Sequence, residues 1–541
     1  MQGEKSMEPY VYPEGCVFDS LEDIAGKKIT IMGLGLNGGG EACVKFFLKH
    51  GAYVTVTDMK TPDLLAPTLK RISEDTELDK SRLTYVLGRH NVEDFSEADC
   101  VIKNPGVKIQ GNEYLAAAKA IETDISIFLH FTKAPIIAVT GSKGKSSTVS
   151  AIDFGLKNAG FKSFLGGNIT VSPLTFLDKT DGMTPVVLEL SSWQLADLRG
   201  RKALKPKIAI ITKIVPDHQN WYDGMDSYIA DKKLIYADQD ESDFTILDFD
   251  ADDYLTETAS PKKGCKCWGD LFASETHGKV LRYSSQILPA GVYGAFQTDL
   301  DSSTICGYSR LPDELLSKTA REKNVAEEKI MGELLVPGAH MRTNALNAAL
   351  VLRLMHVSPD QTMNIVDSWK GIPHRLEHFS KWKNPYNSIK LSFYNDTCAT
   401  IPEASVAAAM AFKRRVVLIA GGTDKNLDFT PLFDLMVGRK GKKFIPQKLY
   451  LLSGTGTDKL TQMLDQKYIN YSGPYDSLSA LLGVMKTDLM SDRAEANFAY
   501  YDYAEEIPVV FSPGATSFGM FANEFDRGNK FKDAVTYTFG N

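Results

Sequence analysis

The sequence predicts an α/β protein of three domains: a Rossmann-like N-terminal domain, a central phosphate-loop domain and a Rossmann-like α/β C-terminal domain. Three observations predict it. The chain has 541 residues, room for three to four domains at roughly 150 residues each. Short apolar runs end again and again in Gly-rich or Ser/Pro/Gly turns, as parallel strands do when they reach a ligand-facing edge. Two of these turns, Gly33–Gly38 and Gly141–Lys145, lead directly into stretches with helical spacing, the order of a strand–helix–strand unit.

The first unit, residues 1–122, opens with Lys28-Ile-Thr-Ile-Met32 as a buried strand. A helix follows from Glu41 to His50, Gly51 stops it, and Tyr53-Val-Thr-Val-Thr57 is a second strand ending at Asp58. Cys100-Val-Ile102 then runs into the turn Asn104-Pro105-Gly106. The second unit, residues 123–372, begins with the strand Pro135–Thr140 and a helix through Asn158; Val186–Leu190 and Ile208–Thr212 are further parallel strands. From about Glu241 to Lys329 the pattern is irregular and reads in part as an enlarged peripheral segment. The third unit, residues 373–541, repeats one theme in Arg415–Ala420 with Gly421-Gly422, Lys448–Leu452 with Ser453-Gly454, and Pro508–Phe511 with Ser512-Pro513-Gly514. Such an arrangement gathers ligand-facing loops around one cleft.

Composition narrows the partners. Hydrophobic residues make up 43% and charged residues 24%, a balance that supports packed cores. With 61 Lys+Arg against 68 Asp+Glu, the net charge of -7 argues against nucleic acid as the main partner, because phosphate neutralisation normally needs a basic face. A small anionic ligand needs only a local cluster of donors and stays open. Seven dispersed cysteines fit reduced thiols, and the one-residue spacing of Cys265-Lys266-Cys267 suits a zinc clip poorly. The first residues lack the apolar core of a signal peptide, and no stretch approaches the ~20 apolar residues of a membrane span. A cytoplasmic protein without membrane insertion is expected.

Two loops carry phosphate-binding chemistry. Gly33, Gly35 and Gly38 with Asp58 downstream meet the dinucleotide fingerprint, whose physics is a helix N-terminus that holds a diphosphate. That fits NAD, another nucleotide diphosphate or plain structural glycines. The second loop, Thr140-Gly-Ser-Lys-Gly-Lys-Ser-Ser-Thr148, follows a strand and opens a helix. Backbone amides from Gly141 through Ser147 can cradle phosphates, Lys145 can neutralise them, and Ser146 can reach Mg²⁺. Val139 stands where the first glycine of the usual phosphate loop would be. Glu189, at a strand end, is an acid whose burial a hard cation would explain. His218, Lys232, Asn344, Arg375 and Asp396 are ordinary turn or surface residues taken singly; their order along the chain gives them weight.

Together these segments resemble the Mur ligases, three-domain enzymes that add amino acids to UDP-linked muramoyl precursors. The resemblance runs from about Lys27 to Phe531 through Gly141-Ser-Lys-Gly-Lys-Ser-Ser, Gly166-Gly-Asn168, Glu189-Leu-Ser-Ser-Trp-Gln-Leu195, Asp217-His218, Lys232, Gly338–Asn344, His374-Arg-Leu-Glu377 and Asn395-Asp396. Asn104-Pro-Gly106, Glu189-Leu-Ser-Ser-Trp-Gln-Leu195 and Ser512-Pro-Gly-Ala-Thr-Ser517 with Arg527-Gly528 are most similar to the D-glutamate-adding branch. The resemblance implies an ATP-dependent ligase of peptidoglycan precursor synthesis that joins D-glutamate to UDP-MurNAc-L-Ala, working as a monomer. The rival within the superfamily adds another amino acid or extends a folate. A nucleotide-binding regulator that has lost turnover is disfavoured by Glu189, His218 and Lys232.

Site roles follow from the same resemblance. Leu36, Asn37, Gly38, Asp58, Asn104, Asn168, Ser191 and His218 are expected at the UDP substrate, which displaces NAD. Gly141, Ser142, Lys143, Gly144, Lys145, Ser146, Ser147, Asn344, Arg375 and Asp396 are expected at ATP, and Thr400, Lys425, Ser517 and Phe518 at D-glutamate. Catalysis falls to Lys145, Glu189, His218 and Lys232. Two magnesium ions are implied, with Ser146, Glu189, His218 and a Lys232 carbamylated by CO₂ as ligands. Met341, Cys398 and Gly519 depart from the family pattern.

Overall fold

The computed structural model describes residues 9–169, 171–218, 221–251, 264–298, 305–412, 414–425, 427–438, 446–491 and 506–540. They build three sheets, distributed over two compact units. One unit runs up to Glu333 and takes in Thr343–Val366; the other comprises Leu334–Arg342 and the chain from Asp367.

The first unit holds two sheets. The first is parallel, with β1 (Lys28–Met32), β2 (Tyr53–Asp58), β3 (Leu83–Leu87), β4 (Cys100–Lys103) and β5 (Ile121–Glu122) in the order β3-β2-β1-β4-β5. Ile29 and Ile31 of β1 and Val54 and Val56 of β2 are buried, as expected where helices cover a parallel sheet. The helix after β1 spans Gly39–Lys49 and lays Cys43, Val44, Phe46, Phe47 and Leu48 into that core.

The larger sheet contains β6 (Ile136–Thr140), β7 (Phe164–Gly167), β8 (Val186–Glu189), β9 (Ile208–Ile211), β10 (Phe244–Asp248), β11 (Lys279–Ser284), β12 (Gly294–Thr298), β13 (Cys306–Arg310) and β14 (Glu327–Met331). Their order is β14-β13-β12-β11-β10-β9-β6-β8-β7. Strand β6 is buried throughout and feeds the helix Lys145–Asn158. The described residues of the 241–330 stretch, which was expected as irregular and in part peripheral, are regular. They add five strands, β10 to β14, the last two antiparallel. The polar sequence Glu327-Glu-Lys-Ile-Met331 concealed the edge strand β14, because an antiparallel strand at a sheet edge needs only one apolar face.

The second unit contains β15 (Glu377–Lys383), β16 (Lys390–Asn395), β17 (Val417–Ala420), β18 (Lys448–Leu452), β19 (Ser472–Tyr475) and β20 (Ile507–Phe511), ordered β15-β16-β20-β17-β18-β19. Only the β15–β16 pair is antiparallel. The C-terminal ends of β16, β17, β18 and β20 therefore lie along one edge of the sheet, where their loops can meet.

Candidate functional site

The loop after β6 is shaped by two glycines that no other residue can replace without movement. A Cβ on Gly141 would fall 2.0 Å from Thr212 Oγ1, and one on Gly144 would fall 2.6 Å from Asn344 Oδ1. Gly144 caps the helix with φ 96°, in the left-handed region. The loop is tied down from behind: the Ser142 and Lys143 amides donate to Lys213 O at 2.9 and 3.1 Å, and Ser142 Oγ donates to Val215 O at 2.8 Å. The first-turn amides of Lys145–Asn158 have no partners within their own helix, the usual condition for an anion seat.

Two lysines converge on this loop. Lys145 Nζ donates to Gly141 O at 2.9 Å and Ser142 O at 3.2 Å, and Lys232 Nζ donates to the same Gly141 O at 2.9 Å. Lys232 is fully buried, its ammonium 4.6 Å over the Tyr228 ring. Burial holds it well below the usual lysine range, and the Lys145 charge pushes the same way against Asp217, Asp231 and Glu189. Burial also lowers Lys145, with Glu189 and Asp217 opposing. Glu189 itself is 1% exposed; Oε1 accepts from Asn168 Nδ2 at 2.8 Å, while Oε2 has no hydrogen-bond partner. A buried carboxylate oxygen without a donor fits a cation ligand. No group of three His, Cys, Asp or Glu side chains converges among the described residues. A cation here would therefore need phosphate oxygens or a modified side chain to complete its shell.

A cleft of about 520 Å³ lies between the first glycine loop and Asn168, lined by Leu36, Asn37, Asn104 and Trp193 among others. Gly33, Gly35 and Gly38 all have positive φ, and Gly38 caps its helix at φ 88°. Asp58 shapes the loop from beneath: Oδ2 accepts from Leu34 N at 2.9 Å and Gly35 N at 3.1 Å, and Oδ1 accepts from Lys60 N at 2.9 Å. Ser191 is occupied as the cap of Ser192–Ala196, in a reciprocal pair with Gln194. His218 is exposed, with φ 53°, and its ring lies 4.8 Å from Trp193.

In the second unit, Asp396 is buried after β16 and accepts from Leu376 N at 3.1 Å and Ser512 Oγ at 2.7 Å. Burial pushes its carboxyl up to about 7, while Ser512, the Leu376 amide and Arg375 oppose. Lys425 and Phe518 meet, with the ammonium 4.4 Å over the ring. Their loops are joined where Thr516 N donates to Thr423 O at 3.1 Å. Ser517 is buried beside them, and Thr400 follows the Asp396 turn, which is held to the Ser512 loop by Gly514 N donating to Ala399 O at 2.9 Å. Of the departures, Gly519 has φ 94°, which explains a glycine there; Met341 is buried; and the Cys398 thiol is pushed up by burial while Arg375 lowers it. All seven cysteines are free.

Three residues at the site had no role assigned from the sequence. Tyr228 shares a helix face with Lys232 and meets Ser142 Oγ at 2.9 Å, a relation the four-residue spacing could have signalled. Asp217 pairs with Lys143 at 3.2 Å and acts on both Lys145 and Lys232. Thr212 braces Gly141 through a strand pairing that no local pattern shows.

Comparison with known proteins agrees with this arrangement. Residues 139–286 match the Mur ligase middle domain, and residues 27–127 match the MurD-like N-terminal domain of Mur ligases. A UDP-N-acetylmuramoylalanine--D-glutamate ligase of Treponema pallidum is 38% identical over 95% of this chain and 98% of its own length. Ligases of the same name from Borreliella afzelii and Roseiflexus are 35% and 32% identical, each over 95% of this chain and 99% of their own. With the phosphate loop, the buried acid and near-complete coverage in agreement, the chain belongs to the Mur ligase family, on its MurD-like branch.

Proposed function

We infer that the chain joins D-glutamate to UDP-N-acetylmuramoyl-L-alanine at the expense of ATP, as a monomer in the cytoplasm. The observation that carries this is the convergence of Lys145 and Lys232 on one carbonyl, Gly141 O, beside a Glu189 oxygen that has no donor. The desolvated Lys145 ammonium calls for a polyanion, and an unpartnered buried carboxylate calls for a cation. MgATP supplies both. No helix among the described residues is long and apolar enough to cross a membrane.

Each group then has a task. The nucleotide sugar occupies the cleft between the first glycine loop and Asn168, with Leu36, Asn37 and Gly38 at its diphosphate and Asp58, Asn104, Ser191 and His218 around it. Its terminal carboxylate oxygen attacks the γ-phosphorus of ATP, the bond to the bridging oxygen breaks, and ADP departs. Lys145 and Arg375 neutralise the charge on the transferring group, and Asn344 and Asp396 hold the nucleotide. The acyl phosphate is attacked by the amine of D-glutamate, whose carboxylates meet Lys425, Thr400 and Ser517 near Phe518. The tetrahedral intermediate then expels phosphate. Ser146, Glu189, His218 and a modified Lys232 would hold magnesium, which would supply charge neutralisation and alignment of phosphate oxygens. Burial lowers the Lys232 ammonium's pKa and so favours the nucleophilic amine; its nitrogen would bond to the carbon of CO₂ and lose one proton, leaving an anionic carbamate.

The test is a phosphate-release assay with ATP, magnesium and UDP-MurNAc-L-Ala, comparing D-glutamate with L-glutamate and other amino acids. Release only with D-glutamate is expected. Equal release with another amino acid would favour a different member of the superfamily.

A further inference from the structure

The arm formed by residues 9–18 lies outside both matched regions, yet it is built into the joint between the first and central sheets. The Tyr12 and Gly15 amides donate to Arg199 O and Arg201 O, each at 2.9 Å, and the Val17 amide to Glu122 Oε1 at 3.1 Å. Two ion pairs of opposite polarity cross the joint. Lys103 at the end of β4 meets Asp197 at 2.8 Å, and Glu122 of β5 meets Arg201 at 2.8 Å; all four side chains are less than a tenth exposed. Tyr12 touches both pairs. Its hydroxyl donates to Asp197 Oδ1 at 2.9 Å, and its ring lies 4.2 Å from the Arg201 guanidinium.

Such a cluster could serve only to glue the sheets together. Lys103 argues for more, because it spends two donors on a turn. Its Nζ donates to Asn104 O at 3.1 Å and Val107 O at 2.9 Å. Asn104, Pro105 and Gly106 of that turn line the cleft under the glycine loop. The contact is close: a Cβ on Gly33 would stand 3.4 Å from Asn104 Cβ. A buried ammonium whose acceptors are all fixed has one position, and the turn it clamps inherits that position. Without the Tyr12 hydroxyl, Asp197 loses a donor and is free to rotate against Lys103.

We propose that Tyr12 is a positioning residue for the nucleotide-sugar substrate, acting through Asp197 and Lys103 on the turn Asn104–Val107. This rests on the functional reading above. Tyr12→Phe keeps the ring over Arg201 and removes only the hydroxyl. Its KM for UDP-MurNAc-L-Ala should rise about threefold to tenfold, with kcat and the KM values for ATP and D-glutamate changed by less than about twofold. In an Asp197→Asn background the same substitution should add nothing to that KM, since the path is already cut. If that background does not fold, Tyr12→Phe alone decides. A Tyr12→Phe enzyme with a lower Tm and an unchanged KM reduces the cluster to glue and overturns the proposal. An undiminished effect in the Asp197→Asn background overturns the path through Asp197. A wild-type enzyme that does not turn over UDP-MurNAc-L-Ala instead overturns the functional reading on which the proposal stands.

Discussion

The two glycine loops of the first unit share a backbone and differ in their chemistry. Each follows a buried parallel strand, and each enters its helix through a left-handed glycine, Gly38 at φ 88° and Gly144 at φ 96°. Beneath the first lies a buried carboxylate, Asp58, that accepts loop amides. Beside the second lie two desolvated lysines and a carboxylate oxygen without a donor. An amide cradle shaped by an acid suits a diphosphate that is held and left unchanged. A cradle with stored positive charge suits a phosphoryl group whose charge is redistributed during reaction. The same fold motif is thus a handle in one place and a reaction centre in the other.

Substitutions that separate the two loops follow in order of expected size. Lys145→Ala should lower kcat by about a thousandfold or more with the unfolding midpoint little changed; a kcat near wild type would erase the contrast. Lys232→Ala should cost about a hundredfold or more and regain part of its activity when a short carboxylic acid such as formate is added. Wild-type turnover of that variant without any acid would reject the carbamate. Glycine variants should divide by substrate. Gly144→Ala places a Cβ 2.6 Å from Asn344 Oδ1, and Gly40→Ala places one 2.3 Å from Leu34 O. The first should raise KM for ATP about tenfold and the second KM for the nucleotide sugar by a similar factor. If both variants raise both constants equally, the loops do not have separate ligands.

The smallest effect concerns Asp396, the buried acid of the second unit. Its carboxyl is pushed from 3.8 up to about 7, so between those values the folded chain holds a proton that the unfolded chain releases. Stability from this group is therefore greatest at low pH and falls as pH rises from about 4 to 7. Asp396→Asn should flatten that slope in nucleotide-free protein, measured as unfolding midpoint against pH. An unchanged slope would assign the dependence to another group.

Much of this was legible in the sequence, for identifiable reasons. Strands such as Lys28–Met32 and Lys448–Leu452 match the structure because buried parallel strands are continuous apolar runs bounded by turns. The phosphate loop was legible because its constraint is local. The edge strand β14 was not, since a polar edge strand lacks that signature. The sharing of Gly141 O by Lys145 and Lys232 was hidden too, because the two lysines come from separate helices and meet only through tertiary packing. Family resemblance supplied the roles of Lys232 and Asp396; burial supplies the physical reason each is unusual.

The most direct measurement of the central claim is calorimetric titration of ATP into the purified chain, with and without magnesium, for wild type and Lys145→Ala. Binding that strengthens with magnesium and is weakened at least about tenfold in the variant is the predicted result. No magnesium-dependent binding by wild type, or equal binding by both, would contradict the assignment of the Gly141–Lys145 loop to the ATP phosphates.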